Sequence, residues 1–144
     1  MKRILFLLAL VLIFSGCKDN SKFAIDGVVK DSKEKYIRLS RLEVDIPVLI
    51  DSSKIRRKGA FRFRVKVTGA DFFQLGFSSK DFITLLAEPG EKIKLQFNGK
   101  NLFEKYSVSG SAGSEKLLYL DLNLAETKRK LDSFSTVYTR PSGE

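Results

Sequence analysis

Between Lys22 and Val108 the chain is a series of short runs in which apolar and polar residues alternate, each closed by a turn signal. The clearest run is Ala60 to Thr68, where Phe61, Phe63, Val65 and Val67 interleave with Arg62, Arg64 and Lys66. A period of two this regular predicts a strand with one buried and one wet face, as antiparallel sheets have. Lys22 to Lys30 predicts an earlier strand, with Phe23, Ile25 and Val28 on one side and Gly27 marking a bulge or a close approach. Tyr36 to Ser40 predicts a second strand. Val44 to Ile50 predicts a third, held to an edge or a strand start because Pro47 cannot donate to a ladder. Asp51-Ser52-Ser53 and the basic run up to Gly59 read as a connection. Beyond it, Phe72 to Phe77, Phe82 to Leu86, Lys92 to Phe97 and Tyr106 to Val108 read as strands. Glu88-Pro89-Gly90-Glu91 is a tight turn, with Pro presetting φ and Gly taking the positive-φ position. Strands spaced this evenly predict a mainly β fold, an antiparallel sandwich or partly open barrel over residues 22–110.

After Ser109-Gly110-Ser111 the period changes. Leu117, Leu120, Leu124, Leu131 and Phe134 recur at helical spacing, and Leu118 and Leu122 widen the stripe. The pattern predicts an amphipathic helix over 111–135, with Ser111 or Ser114 as N-cap and Glu115 in the first turn. Such a stripe is expected to pack on its own domain or on a neighbouring one. Residues 136–144 read as a truncated or disordered tail.

The first sixteen residues belong to neither pattern. Met1-Lys2-Arg3 is a cationic start and Ile4 to Phe14 an unbroken apolar run. About twenty residues are needed to span a bilayer, so the run is too short for that and fits a secretory signal. Ser15 and Gly16 are small enough for a peptidase cleft, and Cys17 follows directly. Phe14-Ser15-Gly16-Cys17 resembles the lipobox of bacterial lipoproteins, with Phe14 where Leu is usual. The resemblance implies cleavage between Gly16 and Cys17 and lipid attachment at Cys17, with residues 17–21 as a polar tether. Two or three acyl chains anchor a protein stably where one does not.

Composition narrows the field further. The chain has 26 Lys+Arg against 17 Asp+Glu, a net charge of +9. The cations alternate with apolar residues instead of clustering, which reads as a solvated strand face and argues against a nucleic-acid partner. A single cysteine forms no internal disulfide, so stability rests on apolar burial, and twelve Phe with no Trp suit a Phe-rich β core. With no His in the chain, Ser-His and Cys-His nucleophile pairs are ruled out. Glu88 and Glu91 flank a turn, and Asp51 and Asp71 sit at strand ends where Asp caps turns. We expect no catalytic, cofactor-binding or metal-binding residues in this chain, and no cofactor.

Several signals occur in a recognisable order: Phe23-Ala24-Ile25-Asp26-Gly27, Ile37-Arg38-Leu39, Asp51-Ser52 and Gly59 to Phe63. They are followed by Leu85 to Glu91, and by Val108-Ser109-Gly110-Ser111 opening the helix. Over about residues 22 to 135 this resembles the uncharacterised β-rich N-terminal domain of Bacteroidetes lipoproteins of the thiol:disulfide interchange and peroxiredoxin-like group. There a thioredoxin-fold domain with Cys-x-x-Cys follows and does the redox chemistry. This chain contains no such motif, so no catalytic residue carries over. The resemblance implies a membrane-anchored, non-catalytic accessory domain that meets a thioredoxin-like domain or protein and is truncated before it. The place implied is the bacterial cell envelope, at the outer membrane, with its periplasmic side favoured over the cell surface. The other reading is a stand-alone β-sandwich lipoprotein that binds a glycan, a peptide or a partner protein.

Overall fold

The computed structural model describes residues 20–44, 46–100, 102 and 106–138. The strands are β1 (Lys22–Lys30), β2 (Tyr36–Glu43), β3 (Ile46–Lys54), β4 (Ala60–Lys66), β5 (Asp71–Ser78), β6 (Asp81–Ala87), β7 (Lys92–Asn98) and β8 (Tyr106–Ser109). A 3-10 turn, Arg57–Gly59, precedes β4, and one helix, α1 (Ala112–Tyr138), ends the described chain. The strands make two four-stranded sheets, in the orders β4-β1-β7-β8 and β3-β2-β5-β6. This is the expected mainly β sandwich with a C-terminal helix.

One pairing departs from the antiparallel expectation. β1 lies between β4, antiparallel to it (Asp26 opposite Arg62), and β7, parallel to it (Asp26 opposite Lys94). The other pairings are antiparallel. The alternation in each strand resolves onto two faces. Phe23 and Ile25 of β1, Phe61 and Phe63 of β4, and Ile93, Leu95 and Phe97 of β7 point inward and are buried. From the other sheet Ile37, Leu39, Phe73, Leu75, Ile83 and Leu85 meet them. The Phe23 and Phe73 rings, 4.8 Å apart, join the sheets at one point, and Phe77 and Phe97, 6.4 Å apart, join them at another. Among the described residues, the buried apolar side chains all lie between Phe23 and Val108.

Four local expectations need correction. β1 pairs with β4 without a bulge, and Val29, not Val28, is the buried valine. Of the two readings of Gly27 the close approach holds, because a Cβ there would overlap the Phe61 ring. Asp51, Ser52 and Ser53 are not a connection. They continue β3 and pair with Leu39, Arg38 and Ile37 across a register shift at Leu39/Ser40. As expected from Pro47, β3 is an edge strand, and an edge strand exposed on both sides carries no alternation to read. Val44 is the tip of the β2–β3 hairpin, not a strand residue, and has φ 44°.

The fourth correction concerns the helix. α1 runs to Tyr138, and residues 139–144 lie outside those described. Its first turns contact β6 and β8. Leu117 and Leu118 are half-buried, whereas Leu120, Leu124, Leu131 and Phe134 are each more than half exposed. The stripe therefore does not pack on its own domain past Leu118. The helix has 27 residues, about 40 Å, and exposure of the stripe begins at Leu120, within its first three turns.

Candidate functional site

Two surfaces stand out, and one is the outer face of the sheet β4-β1-β7-β8. Alternation sends Lys22, Ala24, Asp26, Val28 and Lys30 of β1 outward, with Arg62, Arg64 and Lys66 of β4. From β7 come Lys92, Lys94, Gln96 and Asn98, and from β8 Ser107 and Ser109. Seven of these are cations and one is a carboxylate. The face thus carries a net charge of +6, against +9 for the whole chain. The outward positions of β2, β5 and β6 include a single cation, Arg38.

Register aligns the charges in rows. Arg62, Asp26, Lys94 and Ser109 form one row across the four strands, and the Arg62 Nε–H donates to the Asp26 carboxylate. The next row is Ala60, Val28, Gln96 and Ser107, whose shorter side chains leave a groove of about 650 Å³. Arg56 also lines it. The floor is polar and aliphatic, since the Phe61 side chain lies beneath the sheet at 3% exposure. The groove offers guanidinium, ammonium, amide and hydroxyl groups to an anionic or hydroxyl-bearing ligand, and no aromatic plane on which a sugar ring could stack.

The second surface is α1. Ser111 is its N-cap: its Oγ accepts the Ser114 N–H at 3.2 Å, and its own backbone carbonyl accepts the Glu115 N–H at 3.0 Å. Glu115 reaches back to accept the Gly110 N–H at 3.0 Å. Both predicted cap residues are thus used, in different ways, since Ser114 turns to the edge of β6. At mid-helix Tyr106 of β8 donates its hydroxyl to Asp121 at 2.8 Å. Burial, together with that carboxylate, raises the Tyr106 phenol well above its ordinary value.

The carboxylates singled out in the sequence serve local structure. Asp51 accepts the Ser52 N–H at 2.7 Å, Asp71 accepts the Phe72 N–H at 2.9 Å, and Glu91 accepts the Glu88 N–H at 2.9 Å. Asp71 also pairs with Arg41 at 3.1 Å. Each of these N–H bonds is local to the strand or turn that carries the carboxylate. No group of three His, Cys, Asp or Glu side chains among the described residues is placed to hold a metal ion. Gly16 and Cys17, the positions expected for cleavage and lipid attachment, lie outside the described residues. No helix among the described residues is long and apolar enough to cross a membrane. The cationic face was missed as a site because its cations are scattered along the chain and meet only through strand pairing.

Fold and surfaces define a two-sheet β domain with a projecting C-terminal helix. Its family is the one described as a domain of unknown function (DUF4369), whose model matches residues 23–117, and the chain belongs to it. No curated protein and no solved structure matches the chain.

Proposed function

We propose that the chain is a lipoprotein of the bacterial cell envelope, anchored through Cys17, whose sandwich is a non-catalytic accessory domain. Its helix holds a protein partner, and that partner is a thioredoxin-like domain or protein of a thiol-disulfide oxidoreductase system. The observation that carries the reading is the stripe on α1. Leu124, Leu131 and Phe134 are 68%, 63% and 61% exposed in a helix that extends past its own sandwich. Apolar side chains set in register along one helix face are how a helix lies in a partner's groove. The resemblance to thiol:disulfide interchange lipoproteins supplies the class of partner, and the lipobox-like Phe14-Ser15-Gly16-Cys17 supplies the anchor.

A photo-crosslinking residue at Leu131, in cells expressing the full chain, tests this. The expected adduct contains a Cys-x-x-Cys protein or domain of thioredoxin type. Recovery of the chain without adduct, or of adducts without redox cysteines, would sink the accessory reading. The groove beside Arg62 and Lys94 favours a second reading, a stand-alone binding lipoprotein. That one predicts ligand binding lost with Lys94→Glu and indifferent to Leu131.

A further inference from the structure

We infer that the cationic outer face of the sheet β4-β1-β7-β8 docks on an anionic phospholipid surface and sets the orientation of the domain on its membrane. The inference rests on the reading of Cys17 as the lipid anchor, because that reading puts a bilayer beside this face.

The face holds +6 of charge on one side of the sandwich, and the opposite sheet shows no such excess. Four of its seven cations sit where β1 begins: Lys22 opposite Lys66, then Ala24 between Arg64 and Lys92. Asp26, the one carboxylate among the outward strand positions, is engaged with Arg62. Glu91, which lines the same hollow as Lys22, Arg64 and Lys92, accepts the Glu88 N–H. β1 is an inner strand of this sheet, so the chain enters the face within it and not at a distant corner. Four residues, Lys18 to Ser21, lie between Cys17 and Lys22, and the five steps of chain reach at most about 18 Å. The tether therefore delivers the densest cations to the headgroup region first. There each Lys or Arg adds to attraction that fades within a Debye length of about 8–10 Å. A broad sheet face with charges in rows suits a planar array of phosphates.

The test uses unlipidated chain from Lys18 onward, which keeps every core residue, with vesicles of phosphatidylglycerol and phosphatidylcholine in equal parts or of phosphatidylcholine alone. Sedimentation is expected with the anionic vesicles only, and release in about 1 M salt, where the Debye length falls to about 3 Å. Arg64→Glu with Lys66→Glu and Lys92→Glu is expected to weaken partitioning at least about tenfold, while Arg38→Glu on the opposite sheet leaves it unchanged. The inference is overturned if the parent chain ignores anionic vesicles at low salt, or if its binding is insensitive to salt, a result that needs no variant to fold. It is also overturned if the triple variant binds as the parent does, or if dextran sulfate is bound and vesicles are not. Incorporation of a palmitate analogue at Cys17 in cells is scored separately. Label without vesicle binding removes only the docking face, and vesicle binding without label removes only the anchor.

Discussion

The Ser114 hydroxyl takes the place of a neighbouring strand for Leu86: its Oγ accepts the Leu86 N–H at 3.1 Å and donates to the Leu86 carbonyl at 2.8 Å. Leu86 lies on β6, an edge strand, whose outer backbone groups would otherwise be open to pairing with another chain. Ser111 adds a second donor to the same carbonyl at 2.8 Å. Ser114→Ala leaves the Leu86 N–H without that acceptor and is expected to cost about 1–3 kcal/mol. Ser111→Ala leaves the carbonyl still bonded by Ser114 and removes chiefly the helix cap, about 1 kcal/mol. Urea unfolding of the two variants would show the order, and a Ser111 loss larger than the Ser114 loss would contradict it.

Gly27 and Phe61 are expected to be coupled. Gly27→Ala places a methyl where the Phe61 ring lies, an overpacking that typically costs about 1–3 kcal/mol. Phe61→Leu vacates that space at its own cost. The double variant should be more stable than the sum of the single losses implies, by about 0.5 kcal/mol or more. Additive losses in a double-mutant cycle would refute the contact.

The exposed stripe makes a prediction about what does not matter to the fold. Leu124→Asp, at a position 68% exposed, should change stability by no more than about 0.5 kcal/mol. Phe63→Ala in the core should cost about 3–5 kcal/mol. A melting-point drop for Leu124→Asp comparable with that of Phe63→Ala would mean that the helix is covered.

Tyr106 predicts how stability responds to alkali. Its phenol is raised from an ordinary value of 10.0, first by burial and then by Asp121, so the folded state favours the neutral form. Its contribution is whole below pH 10.0 and is lost as pH rises from there through the higher folded value. Between about pH 9 and pH 11 the parent chain should therefore lose more unfolding free energy than Tyr106→Phe. Equal losses would show that the phenol is not shifted.

Val44 holds a φ of 44° at the tip of the β2–β3 hairpin, where Glu43 and Ile46 are the last paired residues. A β-branched residue in this region is strained, and hairpin tips of this kind prefer Asn. Val44 is 95% exposed, so Val44→Asn loses no packing and is expected to stabilise the chain by about 1 kcal/mol. Destabilisation in thermal unfolding would show that the valine side chain has a contact of its own.

How much could be read from the chain depended on whether a side chain's surroundings are set by near neighbours. β4 and β7 alternate strictly because one face is dry, and the 88–91 turn follows from Pro89 and Gly90, whose φ is 88°. Asp51 to Ser53 looked like a loop because an exposed edge strand needs no apolar face. The parallel pairing of β1 with β7 leaves no local trace, since alternation says which face a residue occupies and nothing about its neighbour. The cations of the outer face were visible one strand at a time. Their assembly needed the registers of β4 and β7 on either side of β1. Ser111 was legible as a cap, but the use of Ser114 on Leu86 depends on a strand 28 residues away.

The position of β1 also decides how the domain bears a mechanical load. A pull applied to the chain ahead of Lys22 runs along a strand that is paired on both sides, through seven residue pairs with β4 and seven with β7. Force in that direction loads the hydrogen bonds together in shear instead of opening them one by one, as it would at a free edge. By the same geometry, force on the other end of the chain acts first on α1, whose Leu120, Leu124, Leu131 and Phe134 are exposed.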